Sequence, residues 1–185
     1  MGIDMNKVYP WIKAVRGNKI ILYHEQGRNG VEVEIGEDVP WHNFADTLGV
    51  FYVYDTGDRF ALVSGGMLPE GMTEDELYIK ACENLWNDVR FRIEKATWGG
   101  YGVICGGNFE ASSICSLTVL NTIAEQYKSD FYFAVPARDM MITASVDDRK
   151  QIKGFKRCID RIMKKGEFPL SSAIFKWEYN KTGGK

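Results

Sequence analysis

Alternation of apolar and polar positions opens the chain's pattern. IILYHE (20–25) and VEVEI (31–35) both read as strands, and QGRNG lies between them. Asn29-Gly30 suits the positive φ that a tight hairpin needs. In VEVEI the valines and Ile35 face one way and the glutamates the other, which predicts a half-exposed hairpin. VFYVY (50–54) and RFALVS (59–64) flank DTGD and predict a second hairpin with Gly57 at the strained position. GEDVPWHNFADTLG, between the hairpins, reads as an irregular connection.

Helical spacing follows. Thr73-Glu74-Asp75-Glu76 is a capping box, in which Thr73 accepts from the Glu76 N–H and Glu76 reaches back. Tyr78, Cys82, Leu85, Val89 and Ile93 recur at helical spacing, so the helix is expected to end near Trp98-Gly99-Gly100. YGVIC (101–105) is a short strand. Asn108 can cap a helix over 109–127 with Ile114, Leu117, Leu120, Ala124 and Tyr127 on its apolar face. Strands 131–135 and 140–146 surround Pro136-Ala137-Arg138-Asp139. Asp147 can cap a third helix with Ile152, Phe155, Ile159 and Ile162 inward. SAIFKWEY puts Phe175, Trp177 and Tyr179 on one strand face, and Gly183-Gly184-Lys185 reads as a frayed tail.

Eight strands and three main helices, with hairpins and one β-α-β crossover, predict an α+β fold with a mixed β-sheet. The expected organisation is a single domain over 1–185, with 1–48 either part of it or an N-terminal arm or hairpin extension. The crossover places strands 101–105 and 131–135 parallel in one sheet, so their C-terminal ends share an edge. Glu110 and Ser112 should then lie near Arg138 and Asp139, the candidate binding residues. Two accounts of this edge stay open. In the structural one, Pro136 starts a tight turn, Asp139 bonds turn N–H groups, and Arg138 neutralises Glu110 and locks helix to sheet. In the functional one, the four residues border a polar pocket, with Glu110 as base or acceptor and Arg138 as anion holder. Gly106-Gly107 could form an anion nest, but Glu110 would itself take that favourable place.

Composition narrows the chemistry. The chain has 185 residues, 45% of them hydrophobic, and a net charge of −2. No global field draws it to nucleic acid or membrane. The first twenty residues carry Asp4, Lys7, Lys13, Arg16 and Lys19 and no leader-like apolar run, and no stretch is long and apolar enough for a membrane span. Cys82, Cys105, Cys115 and Cys158 form no C-x-x-C and read as buried thiols of a reducing compartment, so the expected location is the cytoplasm. His24 and His42 do not cluster, and no metal or cofactor is expected. A nucleophile elbow, a P-loop and a dinucleotide fingerprint are all missing. Cys115 sits too far into its helix to be an activated thiol. The third helix carries Arg149, Lys150, Lys153, Lys156, Arg157, Arg161, Lys164 and Lys165. A solvated face explains that run, and no aromatics interleave it to stack bases, so nucleic acid is an unlikely partner. Trp11 in YPWIK and Trp41 in PWHNF lie in less regular segments, where an exposed ring would mark a partner surface.

The order FYVYDTGDRFALV, TEDELYIKACENL, GGNFEASSICSL, FYFAVPARDMMI, LSSAIFKWE resembles the YtpQ-like family of bacterial proteins, a domain of unknown function. The likeness covers about residues 50–180. It implies a small intracellular α+β domain and no particular reaction, and it marks Glu110, Ser112, Pro136, Arg138 and Asp139 as matches to family motifs. The expected function is a non-catalytic binding or protein-interaction domain. The alternative is a small-molecule-binding protein or enzyme using the edge around Glu110 and Arg138. The expected partner is a protein or a small anionic ligand.

Overall fold

The computed structural model describes residues 2–23, 29–45 and 47–179. His24, the tip of the first hairpin and the C-terminal tail lie outside the described residues. The fold is α+β: among the described residues there are eleven strands in two sheets and three α-helices. Neighbouring strands are antiparallel throughout, in place of the expected mixed sheet. The chain divides into two compact units, 1–90 and 91–185.

The first unit is built on β1 (Val8–Arg16), β2 (Lys19–Tyr23), β3 (Gly30–Glu34), β4 (Trp41–Ala45), β5 (Leu48–Asp55) and β6 (Phe60–Leu62). The order is β3-β2-β1-β5-β4, and β6 also pairs with β5. Residues 1–48 supply much of this sheet. β1 and β4 fall where the sequence reads as irregular. VYPWIKAV shows no alternation because β1 is covered on both faces, and a strand buried on two sides reads as a continuous apolar run. Trp11 is therefore core, not partner surface, with its ring 5.0 Å from that of Phe60. Trp41 stacks on Phe51 at 5.6 Å.

Both hairpins form. Gly57 has φ 92 and donates its N–H to Asp55 Oδ1. Gly30, however, opens β3 without a positive φ. β3 is exposed along its whole length, valines included, and forms the sheet edge.

α1 (Glu74–Asp88) has the expected capping box, with Thr73 N–H to Glu76 Oε2 at 2.9 Å and Glu76 N–H to Thr73 Oγ1 at 3.2 Å. Its buried face is Leu77, Ala81, Asn84 and Leu85, rotated from the expected one. Asn84 is the reason: it is buried because its amide donates to the carbonyls of Met5 (2.7 Å) and Val8 (2.8 Å). The helix stops at Asp88, not near Trp98.

The second unit holds β7 (Arg92–Lys95), β8 (Tyr101–Ile104), β9 (Phe131–Ala137), β10 (Met140–Ser145) and β11 (Phe175–Trp177), in the order β11-β9-β10-β8-β7. β8 and β9 are each antiparallel to β10 and so run parallel to one another, with β10 between them. The crossover between them is not one helix. A short 3-10 helix, Ala111–Cys115, is followed by α2 (Leu117–Tyr127), whose cap is Ser116 and not Asn108. Leu117 is consequently outside the core, 67% exposed. α3 (Arg149–Lys165) is capped by Asp148, one residue later than expected, through N–H bonds from Lys150 and Gln151.

Side-chain alternation splits the sheet faces. Ala134, Ile142 and Ala144 pack against Phe155, Cys158 and Ile159 of α3. On the other face Tyr127 of α2 lies against Phe131, with its hydroxyl 2.9 Å from Thr143 Oγ1.

Candidate functional site

The C-terminal ends of β8 and β9 share one edge of the sheet, as the crossover requires. The Ala111 N–H donates to the Arg138 carbonyl at 3.2 Å, so Glu110 and Ser112 do lie beside Arg138. Glu110 is 3% exposed and Ser112 is buried, whereas Arg138 is half-buried and Asp139 exposed.

Their bonding differs from the expected lock. Gly106 and Gly107 adopt φ 103 and 93, which turns backbone N–H groups of this loop inward. Glu110 Oε1 fills that nest, accepting from Cys105 N–H at 2.9 Å and Gly107 N–H at 2.7 Å. The carboxylate is spent on its own loop, and among the described residues it forms no ion pair with Arg138. Its second oxygen is buried and has no hydrogen-bond partner. The Cys105 thiol sits next to this loop. Burial, and then the Glu110 charge, push it up to about 12, so it stays a thiol near neutrality.

Arg138 is held differently. Its backbone N–H donates to the Phe168 carbonyl at 3.2 Å, and its guanidinium lies 4.1 Å from the centre of the Phe168 ring. Phe168 has φ 48, a left-handed conformation that a non-glycine residue adopts at some cost. Leu170 N–H bonds the Pro136 carbonyl at 2.9 Å, and Pro169 bridges Ala137, so segment 168–170 is fastened along the end of β9. Pro136 lies inside β9 and does not start the turn. Asp139 makes no hydrogen bond to the turn N–H groups among the described residues. Phe168 escapes sequence reasoning: only the Phe-Pro pair in GEFPL hints at a fixed backbone there.

The histidine that is described serves packing. His42 Nδ1 lies 2.7 Å from the hydroxyl of fully buried Tyr52. The described residues hold no group of three or more potential metal ligands. The exposed apolar side chains that stand out on α1 are Ile79 and Trp86, 58% and 49% exposed, two turns apart on one face.

A concavity lies on the α3 side of the sheet. It measures about 260 Å3 and is lined by Thr97, Trp98, Gly154, Arg157, Cys158 and Arg161.

Comparison with known proteins gives one distant likeness. The chain is 23% identical over 136 residues to UPF0354 protein lin1649 of Listeria innocua serovar 6a, which covers 71% of this chain and 51% of that protein. The chain thus spans about half the length of this curated relative. The likeness points to an uncharacterised bacterial family. No family model matches, and no solved structure matches. No described helix is long and apolar enough to cross a membrane.

Proposed function

We propose that this chain is a non-catalytic binding domain and that the edge formed by Arg138 and Phe168 takes a small anionic ligand. The observation that carries it is the release of Arg138 from Glu110. The guanidinium rests on an aromatic face, its Nε is without a hydrogen-bond partner, and no carboxylate neutralises it among the described residues. A cation held on a ring keeps its N–H fork ordered and ready for a carboxylate or phosphate. Two facts favour binding over catalysis. Glu110 has one oxygen committed to two N–H groups and the other out of reach of solvent. The Cys105 thiol is held protonated. Kinship with the YtpQ-like proteins and a cytoplasmic setting belong to the same proposal, supported by the Listeria likeness and by a sequence whose four cysteines include no C-x-x-C pair.

A thermal-shift panel of carboxylates and phosphorylated metabolites tests the site. A ligand is expected to raise the melting temperature of the wild type and not of Arg138→Ala. Equal shifts in both proteins would remove Arg138 from binding.

A further inference from the structure

The cleft beside Trp98 is separate from the Arg138 edge. Trp98 lies in the turn leading into β8, whereas Arg138 follows the end of β9. Because β8 and β9 run parallel, the two places are at opposite ends of the strands.

Three fastenings hold the Trp98 wall still. Ala96 and Gly100 close the turn through an N–H···O bond of 2.8 Å. The indole Nε1–H donates to the Thr143 carbonyl at 3.1 Å. On the helix side, Gly154 lets α3 approach so closely that an added Cβ would lie 2.3 Å from Trp98 Cβ. A wall that is already fixed loses little entropy on binding.

The opposite wall is cationic. Arg157 and Arg161 are one helical turn apart and share a face. Neither forms an ion pair among the described residues. Asp160, the one carboxylate among eight Lys and Arg residues of α3, pairs with neither. Arg161 Nη2 lies 3.8 Å from Cys158 Sγ, a weak contact that leaves the rest of its fork unused.

From this geometry we infer that the cleft binds the phosphate group of a small phosphomonoester. One guanidinium satisfies a carboxylate through a two-point fork. Two guanidiniums with the Thr97 hydroxyl supply more donors than a carboxylate can use, and they suit the three free oxygens and double charge of a phosphate. A cleft of about 260 Å3 is slightly below the usual range for organic ligands, which starts at about 300 Å3, so the organic part is small.

The test is titration of the whole chain with phenyl phosphate, inorganic phosphate, benzoate and a short single-stranded DNA, by calorimetry and by the assigned Trp98 indole N–H resonance. Phenyl phosphate is expected to move that resonance. Its affinity should fall at least roughly tenfold in Arg157→Gln/Arg161→Gln, the loss of two charge-assisted contacts. Lys150→Gln/Lys153→Gln, which removes equal charge from α3 outside the cleft, should bind as the wild type does. Inorganic phosphate binding as tightly as the ester would support the site with free phosphate as its source. Weaker binding would support the ester. The inference is overturned if no phosphate binds at about 10 mM, a concentration well above weak metabolite affinities. It is also overturned if benzoate moves the Trp98 resonance as phenyl phosphate does, if DNA is preferred, if the two arginine substitutions change nothing, or if Lys150→Gln/Lys153→Gln removes binding.

Discussion

Replacing Glu110 by alanine would leave the N–H groups of Cys105 and Gly107 facing inward with no acceptor. Two bonds to a charged group make the expected loss about 2–4 kcal/mol, read by urea unfolding. Glu110→Gln keeps an acceptor oxygen and should cost about 1 kcal/mol. Equal losses would show that charge, not the acceptor, holds the loop. Tyr9 offers a pH test. Its hydroxyl donates to Asp88 Oδ2 at 2.9 Å, and burial, then that bond, raise it from 10.0 to about 12. The folded state holds this proton more tightly than the unfolded chain does. The contribution is therefore complete below pH 10.0 and lost as pH rises to about 12. Tyr9→Phe should be about 1 kcal/mol less stable at neutral pH, with the gap closing over that alkaline window. At this scale the sequence was only partly legible. That Glu110 and Arg138 are neighbours follows from topology. Which of them takes which partner depends on Gly106, Gly107 and Phe168 adopting positive φ, and nothing in a Phe-Pro pair announces a ring beneath an arginine.

Elements whose alternation or caps are local were legible: the Gly57 hairpin, the Thr73 capping box and the spacing of Ile152, Phe155, Ile159 and Ile162. β1 was hidden because both faces are covered. The register of α1 was hidden because a buried asparagine looks like a surface position until its carbonyl partners are known. The approach of α3 to the Trp98 turn gives an element-scale prediction. Glycine to alanine inside a helix ordinarily stabilises by about 1 kcal/mol. At Gly154 the new methyl would overlap Trp98, so the expected outcome is a net loss of about 1–3 kcal/mol and a lower melting temperature. A gain would mean the turn gives way easily and the cleft is not rigid.

Across the whole molecule, the division into 1–90 and 91–185 matches the two sheets, and α1 ends just before the boundary. Each unit has its own buried apolar cluster, around Val8, Tyr52 and Leu77 in the first and around Ala134, Phe155 and Ile159 in the second. A fragment of residues 91–185 is expected to unfold cooperatively by itself, with dispersed amide resonances. A collapsed, undispersed spectrum would mean that the second unit needs the first to fold. This division was not visible in the sequence, because no Pro- or Gly-rich linker marks it and VRFRIEK runs from helix into strand without punctuation.

β3 gives the first sheet an open rim. Its backbone faces water on one side, and its valines are exposed, yet Glu32 and Glu34 alternate with them and draw in Arg16 of β1 and Lys19 of β2. Carboxylates spaced in this way repel an identical rim approaching from another molecule, so these two side chains act as guards against fibrous stacking. With both guards removed, as in Glu32→Ala/Glu34→Ala, the same harmless strand becomes the surface through which concentrated protein is lost from solution.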